Sequence, residues 1–307
     1  MIAIVSHDAG GAEILSSWVR RCKEDYCLVI DGPAKNIFQR KLGHCSSLML
    51  DQAIKQSDWV LCGTSGDASL ERQAIAQAKL EGKKVVSFLD HWVNYKKRFV
   101  TNGVSNYPDE IWVGDVEAQE KAQAIFPGVP VVLTSNPYFE DIQIEFGKIE
   151  LRPRSEEGCS VLYVCEPIRV KIPSALDDEE EFSEEELPMY SEEDALSYFL
   201  ENLDVLGRSV NKIKIRPHPK EEKNKYDWAI QRMPFVIEIG GDKTLLEEIA
   251  EADVVVGCES MAMMVALSVN KKVISSIPPG GRPCLLPSAK IEHLQMLVGR
   301  HKGSVNA

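Results

Sequence analysis

No stretch of the 307-residue chain approaches the roughly 20 consecutive apolar residues that a membrane-spanning helix needs. The opening Met1-Ile2-Ala3-Ile4-Val5 enters a strand pattern at once, with no basic region or cleavage site, so a cytoplasmic protein without a leader is expected. The eight cysteines form no C-x-x-C pair and no Cys/His ligand spacing, and Cys62 and Cys165 sit in apolar runs; reduced, buried thiols are expected. A basic surface is also missing. The net charge is −12, and Asp177 to Glu181 with Glu184 to Glu186 supply eight acids without a base. Removing those eight leaves −4, a mildly acidic body that argues against nucleic acid and polybasic membrane contacts. The chain has no G-x-G-x-x-G, P-loop, G-x-S-x-G or H-E-x-x-H, which removes the classical dinucleotide, NTPase, serine-hydrolase and zinc-protease readings.

What is present is a regular alternation of apolar strand-like runs with helical patterns. In the first half, strands are expected at 1–6, 26–31, 58–62, 84–89, 109–113 and 129–133, with a weaker one at 47–50. Helices are expected at 12–21, 36–42, 69–80 and 118–125. The pattern lapses into charge and Pro153 between about 144 and 157, and then a second set begins. Its strands are expected at 161–165, around 212–216, and at 235–239, 253–257 and 272–277. Its helices are expected at 194–205, 244–250, 261–267 and 288–298. The acidic, proline-interrupted stretch 172–191 is too polar to pack and reads as an exposed loop. Strands apolar on both faces imply parallel sheets covered by helices. The expected fold class is α/β, two Rossmann-like domains whose sheets face a cleft. Domain bounds are 1–145 and 158–287, with a C-terminal helix and tail at 288–307.

One segment organises the second half: Lys212-Ile213-Lys214-Ile215-Arg216-Pro217-His218-Pro219-Lys220-Glu221. Ile213 and Ile215 alternate with polar neighbours as in a strand, and two prolines around a histidine stop it. Arg216, His218 and Lys220 are thereby presented from a stiff corner at a strand's C-terminal edge, where open α/β sheets bind ligands. Three potential cations suit a phosphate or carboxylate; solvated basic residues after a strand are the plainer alternative. Two more strand ends converge on that edge, Glu166-Pro167 and Cys258-Glu259-Ser260. Ser260 precedes a helix, so its hydroxyl and the first free N–H groups can receive an anion, or Ser260 is an ordinary N-cap. Met261, Met263 and Met264 read as core packing.

The two α/β halves, the His-Pro turn and the later strand, Gly-x-Glu-Ser and helix together resemble GT-B-fold glycosyltransferases. The bacterial sialyltransferase, polysialyltransferase and capsule-polysaccharide group is the most similar. The resemblance implies that His218 binds the phosphate of a nucleotide-activated, possibly CMP-linked acidic, sugar and that Ser260 assists. That group carries a Ser-Ser or Ser-Thr pair where this chain has Glu259-Ser260. In many other GT-B enzymes an acid before such a helix grips the ribose hydroxyls, which gives Glu259 that role. Arg216, His218 and Lys220 with a helix N-terminus can stabilise the developing phosphate charge without metal. No D-x-D triplet occurs, which fits a metal-independent enzyme, and no cofactor is expected.

The acceptor must lose a proton, so a base is sought in the first half. His7-Asp8-Ala9-Gly10-Gly11 follows the first strand. The resemblance points to Asp8 as the base, although Ala9 interrupts the family's acid-glycine pattern; a helix cap with Gly10-Gly11 as a tight turn is the alternative. Asp90-His91-Trp92 ends another strand and makes His91 the second candidate base. Gly63-Thr64-Ser65-Gly66-Asp67 is a third loop at that edge, with Thr64 and Ser65 placed to touch ligand. The expected partners are a nucleotide-sugar donor and a glycan acceptor in surface-glycan synthesis. A nucleotide-sugar 2-epimerase, recruiting Asp8, Asp90, His91 and Glu166, and a non-catalytic nucleotide- or sugar-binding protein are the competing readings.

Overall fold

The computed structural model describes residues 1–66, 68–101, 103–151, 158–168, 190–222, 224–234 and 236–305. The chain divides into two compact units, Met1–Asp141 and Ile142–Ala307. The acidic runs at 177–181 and 184–186 lie outside the described residues.

The first unit contains β1 (Ile2–Ser6), β2 (Tyr26–Ile30), β3 (Trp59–Cys62), β4 (Lys84–Phe88), the hairpin strands β5 (Val100–Thr101) and β6 (Val104–Ser105), β7 (Glu110–Val113) and β8 (Val131–Leu133). Its helices are α1 (Ala9–Val19), α2 (Pro33–Leu42), α3 (Leu50–Gln56), α4 (Leu70–Leu80) and α5 (Val116–Ile125). Helix α6 (Pro137–Phe146) runs through the boundary between the units. The sheet order is β2-β1-β3-β4-β7-β8, parallel throughout. All five residues of β1 are buried, as a strand covered by helices on both faces must be. Ile2, Ile4, Leu61 and Phe88 pack with Leu15 of α1 and Phe38 of α2, each such side chain contributing about 1.5–3 kcal/mol when removed from water.

The second unit contains β9 (Cys159–Val164), β10 (Val210–Arg216), β11 (Ile237–Ile239), β12 (Val254–Gly257), β13 (Lys272–Ser275) and β14 (Ile291–His293). Helices α7 (Glu192–Leu200), α8 (Asp227–Arg232), α9 (Leu245–Glu251), α10 (Met261–Ser268) and α11 (Leu294–Val305) complete it. The sheet order is β11-β10-β9-β12-β13-β14, again parallel. Ile213 and Ile215 are fully buried in a cluster with Val161, Tyr163, Phe199 and Tyr226. On the other face of β10, Lys214 pairs with Glu251 at 2.8 Å and Lys212 with Glu238 at 2.9 Å.

Both sheets are therefore two-sided α/β layers, and each reverses direction beside its first strand. The chain leaves β1 toward β2 and returns to β3 on the other side; it leaves β9 toward β10 and β11 and returns to β12. Such reversal points open crevices at strand C-terminal ends. Among the described residues no helix is long and apolar enough to cross a membrane, and all eight cysteines are free thiols.

Several local expectations change. Residues 47–50 form no strand; Ser47 makes one isolated bridge to Leu28, and Leu50 starts α3. Residues 288–298 are not one helix, because Ile291–His293 pairs with β13 before α11 begins. Helices α6 and α8 are additions.

Candidate functional site: two strand-end crevices

In the first unit, His7 and Asp8 leave β1, and α1 starts at the next residue. Asp8 occupies the N-cap position, yet its side chain makes no capping hydrogen bond. Its Oδ1 lies 2.8 Å from Nδ1 of His7, and its Oδ2 accepts the N–H of Gly66 at 3.1 Å. A carboxylate can only accept, so the neutral ring carries its proton on Nδ1 and keeps its lone pair on Nε2. The edge bearing Nε2 lies against Gly32, where a Cβ would stand 2.5 Å from that nitrogen and φ is +52°. Gly32 is thus required both by backbone conformation and by the imidazole.

Two further glycines bring the strand ends together. A Cβ on Gly11 would lie 3.2 Å from Cα of Gly63, so α1 and the loop after β3 touch backbone to backbone. A Cβ on Gly10 would stand 1.9 Å from Oδ2 of Asp90. The first turn of α1, a favourable position for negative charge, is thereby packed against a carboxylate of the protein itself. Oδ1 of Asp90 accepts from the hydroxyl of Thr64 and from Nη1 of Arg98, each at 2.8 Å, with side chains of Asp90 and Arg98 only 9% and 10% exposed. Ser65 donates to Oε2 of Glu71 at 2.7 Å, and Oε1 of Glu71 accepts the N–H of His7 at 2.7 Å. Burial pushes the Glu71 carboxyl above its usual range against those two hydrogen bonds, and Asp8 adds to the rise. His91 differs from His7: its Nδ1 accepts the N–H of Trp92 at 3.0 Å, so its neutral ring carries hydrogen on Nε2.

The structure thus groups Asp8, Gly10, Gly11, Thr64 and Ser65 around one crevice with His7, Glu71, Asp90 and Arg98. Glu71 was not among the sequence candidates. In sequence it is an ordinary first-turn acid of α4, with nothing to mark the reach back to β1.

In the second unit, a Cβ on Gly257 would stand 2.8 Å from Cγ2 of Val164, so the ends of β9 and β12 approach closely. Glu166, after β9, is 8% exposed. Burial, with Glu166 as the next cause, raises the thiol of Cys258. Ser260 caps α10, its Oγ accepting from the N–H of Ala262 at 3.3 Å. Glu259 is held on both oxygens, by Nη2 of Arg282 at 2.5 Å and by the N–H of Leu285 at 3.2 Å. Each carboxylate oxygen has a second lone pair, so a held carboxylate still accepts from a ligand hydroxyl.

The three cations of the His-Pro corner divide. Nη1 of Arg216 donates to buried Glu248 at 2.6 Å and to the carbonyl of Lys243 at 3.0 Å. Lys220 is exposed and forms no ion pair among the described residues. His218 is partly buried; its Nδ1 accepts the N–H of Lys220 at 3.2 Å. A cavity of about 550 Å³ lies at the opposite edge of this sheet, near Ser160, Asp253 and Lys271. Its polar walls are engaged internally, Ser160 with Asp253 and Lys271 with the carbonyls of Ala250 and Ala252.

Two six-stranded parallel sheets with helices, each reversing beside its first strand, define an α/β protein of GT-B-like fold. No family model matches the sequence, and no curated protein matches it. Solved structures match in fold. The S. aureus MnaA–UDP co-structure is 12% identical with a TM-score of 0.63, covering 100% of this chain and 88% of that one. A putative UDP-N-acetylglucosamine 2-epimerase from Listeria monocytogenes is 11% identical with a TM-score of 0.55, covering 89% and 78%. The glycotransferase of kitacinnamycin is 12% identical with a TM-score of 0.50, covering 89% and 79%.

Proposed function

We propose that the chain is a glycosyltransferase that uses a nucleotide-activated sugar in surface-glycan synthesis. The observation that carries this reading is the His7–Asp8 pair, an imidazole oriented by a carboxylate so that its lone pair sits on Nε2. In the proposed reaction Nε2 of His7 takes the proton of an acceptor hydroxyl, and the acceptor oxygen bonds to the anomeric carbon. The bond from that carbon to the phosphate oxygen breaks, and the phosphate leaves with the electron pair. Asp8 then acts by fixing the tautomer and stabilising the imidazolium, and the base role moves from Asp8 and His91 to His7.

The second unit binds the nucleotide at the ends of β9, β10 and β12. His218 and Ser260 meet the phosphate, and Glu259, oriented by Arg282 and Leu285, accepts from the ribose hydroxyls. Arg216 supports the corner through Glu248. Glu166 borders the same crevice, and Lys220 adds long-range attraction for the anion. Gly10, Gly11, Thr64 and Ser65 shape the acceptor side, and the cytoplasmic location is kept.

A nucleotide-sugar 2-epimerase is the second reading, favoured by two further carboxylates at this strand-end crevice, Glu71 bonded to His7 and Asp90 against Gly10. Arg98 and Thr64 hold Asp90 through Oδ1, and His7 and Ser65 hold Glu71, whereas His7 has a ring nitrogen whose lone pair its carboxylate partner leaves oriented, which favours transfer. A thermal-shift panel of CMP, CDP, UMP, UDP and GDP tests the nucleotide site, since a bound ligand raises apparent stability by mass action. A shift by CMP alone supports the CMP-linked donor; no shift by any member refutes the nucleotide site. Incubation with UDP-N-acetylglucosamine in heavy water separates the two readings, because exchange at C2 without an acceptor makes the chain an epimerase. Tight nucleotide binding without turnover over a donor and acceptor panel makes it a binding protein.

A further inference from the structure

Between Pro217 and Lys220 only His218 and Lys220 carry a backbone N–H, because proline has none. Both are used locally. The N–H of His218 donates to Oε2 of Glu221 at 2.8 Å, and the N–H of Glu221 returns to the carbonyl of His218 at 2.8 Å. The first bond is the glutamate half of a capping box and the second a backbone turn bond, and together they close residues 218–221 into one turn. Within that turn the N–H of Lys220 reaches Nδ1 of His218 at 3.2 Å. A ring nitrogen that accepts an N–H carries no proton, so the neutral imidazole bears its hydrogen on Nε2.

The carboxylate that closes the turn is anchored from behind. The Glu221 side chain is 3% exposed, and its Oε1 accepts from Nζ of Lys225 at 2.8 Å and from the hydroxyl of Tyr226 at 2.9 Å. Tyr226 is fully buried in the core beneath β9 and β10, and Lys225 also pairs with buried Glu192. The orientation of His218 is thus tied to the core through one carboxylate.

We propose that Glu221 is the positioning residue of the nucleotide site, holding the main chain and ring of His218 so that the imidazole meets the phosphate as a fixed Nε2–H donor. This rests on the reading of the second unit as a nucleotide site. Three donors converge on Glu221, from His218, Lys225 and Tyr226. Glutamine, with one acceptor oxygen, cannot serve both sides, and alanine serves neither.

The test combines calorimetry with UDP, and CMP in parallel, with nitrogen-15 histidine NMR of the full chain. In wild type His218 is expected as the Nε2–H tautomer. Glu221→Ala is expected to produce a tautomer mixture and weaken nucleotide affinity roughly tenfold, the equivalent of one hydrogen bond, with Glu221→Gln intermediate. In a His218→Ala background the effect of Glu221→Ala on affinity is expected to vanish, as coupled residues require. Equal weakening in both backgrounds, or an unchanged tautomer in Glu221→Ala, overturns the proposal. If the alanine variant does not fold, Glu221→Gln is carried through the same cycle, and the same two results overturn the proposal. If wild type binds neither nucleotide, the reading of the site fails, while the tautomer comparison still decides whether Glu221 orients His218.

Discussion

Replacing Arg98 by methionine keeps the apolar stem and removes the guanidinium that faces Asp90. The pair is buried, at 10% and 9% side-chain exposure, and among the described residues Asp90 keeps only the Thr64 hydroxyl once the cation is gone. Removing one partner of a buried pair costs about 3–5 kcal/mol, because the remaining charge stays desolvated. The surviving hydrogen bond places R98M at the lower end, about 3 kcal/mol. With a urea m-value of about 2 kcal/mol/M, the unfolding midpoint falls by about 1.5 M. Tryptophan fluorescence suits this measurement, because four of the five tryptophans (18, 59, 92 and 112) lie in the first unit. Adding D90N removes the stranded charge and leaves an amide oxygen for Thr64, so D90N/R98M is expected to regain about 2 kcal/mol. A midpoint shift below about 0.5 M for R98M, or a double variant no more stable than the single one, would refute the argument.

Asp8→Asn presents an amide to Nδ1 of His7 and favours the wrong tautomer; turnover is expected to fall about 100- to 10,000-fold with nucleotide affinity preserved. Retained activity would remove His7 and Asp8 from proton transfer. His218→Ala is expected to weaken nucleotide binding by about 1.5–3 kcal/mol, the range for a hydrogen bond to a charged group; unchanged affinity in calorimetry would remove it from the site. Glu71 titrates above its unfolded value because it is buried, so the native state binds that proton more tightly. Its contribution is fully present below the unfolded pKa and is lost as pH rises through the folded one. Glu71→Gln lacks this loss, so its stability relative to wild type is expected to improve from pH 4.5 to pH 8 in thermal unfolding. A gap that does not change with pH would contradict this.

Much of the architecture was legible because it rests on local repetition. Ile2 to Val5 and Val254 to Val256 are unbroken apolar runs, and such runs between helical patterns already require parallel, two-sided sheets. The elements that sequence missed are those whose state depends on a neighbour. Ile291–His293 has no strand signal of its own and is a strand because β13 offers it a free edge. Leu50–Gln56 follows a single bridge at Ser47 that reads as a strand in isolation. Pro137 stood in the favoured first-turn position of α6, but the charged stretch beyond it hid the helix.

The candidate site divides along the same line. The chain order alone carried the His-Pro corner, the Ser260 helix start and the glycine-bearing turns to strand ends, because prolines and glycines restrict the backbone wherever they occur. Which side chain faces which was decided only by the tertiary structure. Asp8, read as base or cap, makes no capping bond and lies 2.8 Å from Nδ1 of His7; Arg216, read as a ligand cation, also pairs with Glu248. His7 and Glu71 are 64 residues apart and meet across β1 and β3. Hydrogen bonds and ion pairs act over a few ångströms, and distances of that order between remote residues exist only after the sheets have formed.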